Sequence, residues 1–314
     1  MSVKQETTQS RDAEVAQLLK GAVDLHVHSG PSVMQRILDH EEAQAQADDA
    51  GFAAILFKDH YYPGMAHAQM LEKSFPDRKV KLFSGVALNN PSGGINRYAV
   101  DHNIKLGGKI VWMPTFAAKN HLEKYAAKHK DAMSFPTTRE KMVEPTPLTV
   151  FDANGALTDE TRMCLDLIAE GDIILAGGHL HVTEQVPMFE EAKKRGVKKM
   201  MINHPTYLID CTDQDMTDFA SMGVYLEHSI CMFIDNARTK MFDSADLKRF
   251  IEAGSVDKTV LGSDLGLTQA PPPVEGYREI VKMLLDLQYS EADIRKMISG
   301  NAAHLLGIEV EGSA

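Results

Sequence analysis

The stretch VDLHVHSGPS, residues 23–32, places two histidines one position apart at the end of a short apolar run. Alternate residues of a β-strand point to the same side, so His26 and His28 can face one point. The Ser-Gly-Pro-Ser sequence that follows is typical of a loop. The stretch therefore predicts a buried strand that presents two imidazoles at the start of a loop.

Seven further apolar runs follow the first, and helical stretches separate them. Most of the runs are apolar throughout, which is typical of parallel strands that are buried on both faces. The eight runs span residues 22–28, 52–60, 80–88, 109–115, 172–179, 198–205, 224–229 and 258–266. Eight such units in a chain of 314 residues predict an α/β fold of the (β/α)8 type, the TIM barrel.

The domain organisation follows from the same pattern. An open doubly wound sheet is the competing architecture, but no GxGxxG sequence follows the first run. No linker divides the chain, so we expect a single domain over residues 1–314. The pattern loosens over residues 116–157, where Asn154-Gly155 lies between two short apolar arms and indicates a hairpin. We expect this segment to be an insertion after strand 4 that lies over the barrel mouth.

Polar side chains cluster where the predicted strands end, which is where barrels of this kind carry their active sites. A lone histidine after an apolar run is ordinary, but histidines and an acid at the same end of several strands suggest a shared site. A cation such as zinc binds imidazole nitrogen and carboxylate oxygen and keeps one position open for water. The residues that fit this demand are His26, His28, His179, His204 and Asp264.

The order of these residues resembles the amidohydrolase superfamily of metal-dependent hydrolases. The resemblance rests on HVH (26–28), GGH (177–179), NHP (203–205) and GSD (262–264), and it spans residues 22–308. Within the superfamily the chain is similar to a poorly characterised branch with VWMPT (111–115) and PPPVEG (271–276). The resemblance implies a (β/α)8 barrel, a divalent metal and, by analogy, a homo-oligomer.

Strand 4 departs from the pattern of that superfamily. Members with two metals usually carry a lysine or glutamate there that bridges the ions, whereas Lys109 stands at the opposite end of KIVWMPT. The chain is therefore expected to bind one ion, or two ions with another bridge. Lys58, at the end of strand 2, is the only lysine placed to form a carbamylated bridge, but a cationic role in substrate binding is favoured, and a surface or structural role is also open.

The chemistry that follows is hydrolysis by a metal-activated water. A divalent metal lowers the pKa of its water from about 15.7 towards about 7. We expect zinc, with manganese or iron as alternatives. Asp264 would act as a metal ligand and as the general acid-base. His204 is expected to be a ligand if two ions bind, and to polarise the water or the substrate if one ion binds.

A second tier of residues is expected to bind substrate or to support the ligands by hydrogen bonds. Arg97 is a candidate for clamping a substrate carboxylate, with a solvated helix face as the alternative. Trp112 and Thr115, at the end of strand 4, can line the pocket or belong to the core. The second-tier candidates are Lys58, His60, Arg97, His181, Glu227 and His228.

Composition limits the class of protein and its partners. Apolar residues make up 44% of the chain and charged residues 25%, as in ordinary globular proteins, and the formal net charge of −11 disfavours nucleic acid. No window approaches a membrane span, and the N-terminus has no hydrophobic region, so we expect a cytoplasmic protein. The cysteines, Cys164, Cys211 and Cys231, match no disulfide or zinc pattern and are expected to be small buried hydrophobes.

Three functions remain open on the sequence. The first is hydrolysis of a C–N or C–O bond in a small molecule such as a cyclic amide, imide or lactone. The second is metal-dependent decarboxylation or C–C cleavage of a small carboxylic acid, which the departure in strand 4 permits. The third is a metal-binding barrel without catalysis.

Overall fold

Eight parallel strands form one sheet in the order of the chain, in a computed structural model that describes residues 3–128, 138 and 142–310. Each strand pairs in parallel with the next along the chain. The strands are β1 (Val23–Val27), β2 (Ala54–Phe57), β3 (Lys81–Ala87), β4 (Ile110–Trp112), β5 (Ile174–Ala176), β6 (Met200–Asn203), β7 (Tyr225–Ser229) and β8 (Thr259–Gly262).

Helices connect the strands and surround them. They are α1 (Val3–Leu19), α2 (His40–Asp49), α3 (Met65–Ser74), α4 (Arg97–Lys105), α5 (Lys119–Lys128), α6 (Asp159–Glu170), α7 (Val182–Lys194), α8 (Asp213–Met222), α9 (Ser244–Gly254), α10 (Pro273–Asp286), α11 (Glu291–Arg295) and α12 (Asn301–Leu306). Capping boxes fix the first turns of α2, α7, α8 and α9. No helix among the described residues is long and apolar enough to cross a membrane.

The sheet closes between its first and last strands, at the end where the predicted site lies. Val27 forms a parallel bridge with Leu265, the His28 amide donates to the Leu265 carbonyl at 2.8 Å, and the Asp264 amide donates to the His26 carbonyl at 2.8 Å. Earlier along β8, the Leu261 carbonyl accepts a hydrogen bond from the Tyr277 hydroxyl at 2.6 Å. The predicted (β/α)8 barrel is confirmed.

Apolar side chains fill both faces of the strands. Alternate residues point into the barrel, where Leu25, Leu56 and Trp112 belong to one buried cluster. Their neighbours point towards the helices and form a second, larger cluster. This double burial explains why the strand sequences are continuously apolar. Trp112 therefore belongs to the barrel core.

The segment after β4 contains α5 and a tight hairpin. Phe151 forms an antiparallel bridge with Leu157, and Gly155 has a φ of 80°, which favours glycine at the turn. The predicted insertion, 116–157, includes residues 129–137 and 139–141, which lie outside the described residues. Its role as a cover over the mouth stays a prediction.

Candidate metal centre

Three of the predicted ligands meet at the closure of the barrel. The Nε2 atoms of His26 and His28 lie 3.2 and 3.0 Å from Asp264 Oδ1. One donor atom from each of the three residues lies within 4.8 Å of the others. The closure of β1 against β8 brings residues more than 230 positions apart in the chain into this cluster.

The second ring nitrogen of each strand 1 histidine is held by a partner. His26 Nδ1 lies 2.6 Å from Glu227 Oε1, and His28 Nδ1 lies 2.9 Å from the Lys58 carbonyl. Since a carbonyl only accepts, His28 Nδ1 donates, and its Nε2 is left with a lone pair. The Glu227 carboxylate directs the His26 ring in the same way, as outer partners of metal-binding histidines do. Asn203 donates to the other carboxylate oxygen of Glu227.

A buried aspartate fixes the backbone on both sides of the closure. Asp24 Oδ1 accepts from the His26 amide and from the Ser263 amide, each at 2.9 Å. Burial raises the pKa of Asp24 to about 7, and burial likewise raises the pKa of Glu227 to about 7. Asp24 thus couples the position of His26 in β1 to the turn that carries Asp264.

The backbone at the closure adopts unusual conformations. Asp264 has a φ of 51° and His204 a φ of 32°, values that cost a residue with a side chain about 1–3 kcal/mol. Gly266 has a φ of 110°, and a Cβ there would lie 1.5 Å from the His28 carbonyl oxygen. Only glycine therefore fits where the β8 loop crosses the end of β1.

The other two predicted ligands lie on the opposite side of the mouth. The rings of His179 and His204 are 5.2 Å apart, and the rings of His204 and His26 are 5.8 Å apart. His204 Nδ1 lies 3.0 Å from the Ser229 hydroxyl and 3.6 Å from Asp264 Oδ2. His204 Nε2 is buried and has no hydrogen-bond partner among the described residues.

His179 is held by the segment after β4. The His121 ring stacks on the His179 ring with centroids 4.9 Å apart, and their Nδ1 atoms are 2.8 Å apart, so one ring donates and the other accepts. The Asn120 side chain donates to the His179 carbonyl at 3.0 Å. Two consecutive residues of α5 therefore position this histidine.

Lys58 lies inside the cluster. Its side chain is fully buried, and its Nζ lies 2.9 Å from His26 Nε2 and 5.5 Å from the centre of the Trp112 ring. Burial lowers the pKa of Lys58 below its usual range. A charged ammonium this close to His26 Nε2 would repel a cation bound there. The bridging and substrate-binding roles of Lys58 stay predictions.

His60 forms part of the wall beside the ligands. Its Nδ1 lies 2.9 Å from the Thr115 hydroxyl, and its ring stacks on Phe116 at 3.8 Å and faces His28 at 5.2 Å. Asn89 joins these groups, because its side chain donates to the His60 carbonyl and accepts from the Thr115 amide, both at 2.9 Å.

The ligands open onto a cavity of about 240 Å³ at the barrel mouth. The metal-centre side of its wall carries Lys58 and four of the five predicted ligands, and most of the other lining residues are aromatic, sulfur-containing or basic. The lining residues are His28, Met34, Lys58, His60, Phe116, His179, His204, Tyr207, Cys231, Met232, Arg238, Thr239, Lys240, Met241, Asp264 and Leu267. The cavity suits a small molecule with both apolar and polar groups.

Four of the six second-tier residues do not line this cavity: Glu227 instead supports His26, and the other three lie elsewhere. Arg97 begins α4 and pairs with Glu160 at 3.3 Å on the helical surface. His181 is the N-cap residue of α7. Strand β5 ends at Ala176 and therefore does not extend to His181. His228 follows Glu227 on β7, points to the opposite side and stacks on Phe250 of α9.

The donor set fits a divalent cation. Burial lowers the pKa of His26 and of His28 to about 3 and the pKa of His204 to about 4, so these imidazoles are neutral at pH 7. Burial alone would raise the pKa of Asp264, but the facing imidazoles outweigh it and hold that pKa well below its usual range. Neutral imidazole and ionised carboxylate are the forms that bind zinc, manganese and iron.

Sequence reasoning missed residues that hold the ligands in place. Asp24 and Asn89 read as ordinary polar residues of a strand and a loop, and His121 reads as part of a charged helix. Asp24 lies two positions before His26, and an acid within an apolar run is a signal that could have been used. Nothing local marks His121 or Asn89, because their partners lie 58 and 26 residues away.

Comparison with known proteins gives a family and a fold. The model of a family of unknown function (DUF6282) matches residues 21–227, which include the four histidines but not Asp264. No curated protein matches the sequence. Among solved structures, an amidohydrolase from Pseudomonas aeruginosa is 11% identical, with a TM-score of 0.63 over 94% of this chain and 98% of that one.

Two other solved structures share the fold. The phosphotriesterase homology protein from Escherichia coli, with phosphate in its active site, is 10% identical, with a TM-score of 0.55 over 91% of this chain and 99% of that one. An organophosphorus hydrolase from Deinococcus radiodurans is 14% identical, with a TM-score of 0.53 over 93% and 94%. The chain thus shares the fold of these three hydrolase structures.

Proposed function

The chain belongs to DUF6282, a family of unknown function, and we propose that it is a metal-dependent hydrolase of small molecules. The observation that carries the proposal is the convergence of His26, His28 and Asp264 on one point at the mouth of the barrel. An amidohydrolase and an organophosphorus hydrolase are among the proteins that share the fold, which supports the same reaction class.

His26, His28 and Asp264 would hold a divalent cation, with zinc as the first expectation and manganese or iron as alternatives. When bound, the cation supplies a Lewis acid that lowers the pKa of water towards neutrality. Glu227 and the Lys58 carbonyl keep the Nε2 atoms of the two histidines turned inwards. Metal affinity should therefore fall when the Glu227 carboxylate is removed.

Asp264 is the residue proposed to move the proton. Its carboxylate is ionised and lies at the wall of the cavity, so it can accept a proton from the attacking water. It would then deliver that proton to the leaving nitrogen or oxygen. Protonation of a leaving nitrogen or oxygen suits cleavage of a C–N or C–O bond. Cyclic amides, imides and lactones are therefore the proposed substrates.

The role of His204 depends on its tautomer. If Nδ1 accepts from the Ser229 hydroxyl, Nε2 carries the proton and can donate to the oxyanion that forms on the substrate. If Nδ1 instead donates, Nε2 presents a lone pair and can bind a second cation together with His179. The number of ions bound per chain distinguishes the two roles.

Decarboxylation of a small carboxylic acid is the second candidate, and the end of β4 permits it. The residues there are Trp112, Met113 and Pro114, so no acid or lysine from β4 is available to bridge two ions. A centre with one ion would suit either reaction. Release of bicarbonate or carbon dioxide would identify the second.

Metal analysis combined with a substrate panel tests the proposal. The purified protein should contain zinc, manganese or iron, and it should hydrolyse members of a panel of lactones, cyclic amides and imides. A chelator should remove the activity, and the same metal should restore it. His26→Asn should lose the metal, whereas His304→Asn, on the exposed face of α12, should retain it. Stoichiometric metal without turnover on any member of the panel would contradict the proposal.

A further inference from the structure

Arg36 is a buried arginine in the loop between β1 and α2. Only 3% of its side chain is exposed, and its η2 nitrogen lies 3.3 Å from Asp59 Oδ2. The Nε and η1 nitrogens are buried and have no hydrogen-bond partner among residues 3–128, 138 and 142–310. A guanidinium has five N–H donors and cannot lose its charge at ordinary pH, so burial with most donors unused is costly.

Asp59 and the two acids that line the same pocket, Asp39 and Glu42, are engaged elsewhere and do not complete the pairing of Arg36. Asp59 uses its other oxygen to accept from the Tyr61 amide at 2.8 Å. Asp39 and Glu42 form the capping box of α2, in which each carboxylate accepts from the backbone amide of the other residue at 2.8 Å. The acids described near Arg36 therefore leave its Nε and η1 donors without an acceptor, and an acceptor from outside the chain can complete them.

The structure also provides space for such an acceptor. Arg36 is among the residues that line an open pocket of about 690 Å³, which residues 30–39 form together with Glu42 and Met142. This outer pocket adjoins the cavity at the metal centre, because Met34 lines both. Arg36 forms an antiparallel β-bridge with Leu267, which lines the cavity. Its ion-pair partner Asp59 directly follows Lys58 in the chain, and Lys58 also lines the cavity.

We propose that Arg36 is a binding site for an oxyanion, a carboxylate or a phosphate. Its Nε and η1 nitrogens would donate to the anion while η2 stays on Asp59. Planar, bidentate recognition of this kind distinguishes arginine from lysine. The anion can be a group of the molecule bound at the metal centre or a separate ion in the outer pocket, and the experiment below separates these sources.

The test is a calorimetric titration of the purified full-length protein with inorganic phosphate, with the ionic strength held constant by chloride. Wild type should bind phosphate, and Arg36→Met should bind it at least about tenfold more weakly. Arg36→Lys keeps the charge but lacks the planar fork, so its affinity should fall between the two. Arg249→Met, which removes an exposed arginine of α9, is the matched control and should bind phosphate like wild type.

A second variant separates the two sources, because phosphate can also bind a metal. If Asp264→Asn binds phosphate like wild type while Arg36→Met does not, the anion is a separate ion in the outer pocket. If both variants lose binding, one anion contacts both Arg36 and the metal centre. Equal phosphate binding by wild type and Arg36→Met, or no binding by wild type, would overturn the proposal. Because no turnover is measured, these outcomes do not depend on the hydrolase activity.

Discussion

The two sides of the barrel mouth hold their histidines by different means. On the side of β1 and β8, His26 lies within a strand and His28 directly follows it, and the closure of the sheet places Asp264 against both. On the side of β5 and β6, His179 and His204 follow the ends of their strands, and α5 supplies the residues that hold His179.

This difference shows which part of the site the barrel itself determines. The β1/β8 side is fixed by sheet hydrogen bonds and by two buried acids, Asp24 and Glu227. The β5/β6 side depends on contacts with the segment after β4, whose residues are not part of the repeating unit. We therefore expect the β1/β8 side to bind metal tightly. The position of the histidines on the β5/β6 side should depend on α5 and on the residues that anchor it.

The largest expected effect is at Asp264, where the β1/β8 side meets the cavity. Asp264→Asn should lower kcat/KM by about a thousandfold, because the amide cannot accept the proton of the attacking water. Steady-state kinetics on the substrate found in the panel, with metal content measured in parallel, checks this. Normal activity of the Asp264→Asn variant would contradict the proposed mechanism.

Asn89 tests how the start of the segment after β4 is anchored. Asn89→Ala removes buried hydrogen bonds to the Thr115 amide and to the Ala117 amide. The free energy of unfolding should fall by about 2–3 kcal/mol. Chemical denaturation measures the change, and Asn154→Ala, in the exposed hairpin turn, should change stability by less than about 0.5 kcal/mol. Equal effects of the two variants would show that Asn89 is not an anchor.

Glu227 and His228 form a matched pair on β7, since one supports the metal centre and the other faces α9. Glu227→Gln should weaken metal binding by about 10- to 100-fold, because the His26 ring loses its charged partner. His228→Phe, which keeps a ring against Phe250, should leave metal affinity within about twofold of wild type. Competition with a chromophoric chelator gives both affinities, and a larger effect at His228 would reverse the assignment.

His121 is the direct test of the β5/β6 side. His121→Phe keeps an aromatic ring on α5 but removes the nitrogen that contacts His179. Activity should fall by about tenfold, less than at Asp264, because only the support of His179 is lost. A loss as large as that of Asp264→Asn would show that His121 is itself a ligand, and the two sides would then be equally essential.

The smallest effect is expected at Arg97, outside both sides of the mouth. Its guanidinium pairs with Glu160 on the surface, where exposed ion pairs contribute little. Arg97→Ala should leave kcat/KM within about twofold of wild type. A large rise in KM would instead place Arg97 at the substrate, as the sequence interpretation allowed.

Much of the site could be read from strand ends, because a parallel barrel gathers the carboxyl ends of all its strands at one face. That rule was enough to select His26, His28, His179, His204 and Asp264. The rule did not predict the positions of Arg97, His181 and His228. The position of a side chain relative to the cavity also depends on the direction in which it points and on where its strand ends. A shift of one residue along a strand changes the face, as Glu227 and His228 show.

Taken alone, the sequence determined the eightfold alternation, the barrel and the five candidate ligands, since hydrophobic period and position in a repeat are local properties. The tertiary structure decided which residues support those ligands. The pairing of Glu227 with His26, of His121 with His179, and the unpaired donors of Arg36 all join distant parts of the chain. Such contacts arise only when the barrel closes and the loops pack across its mouth.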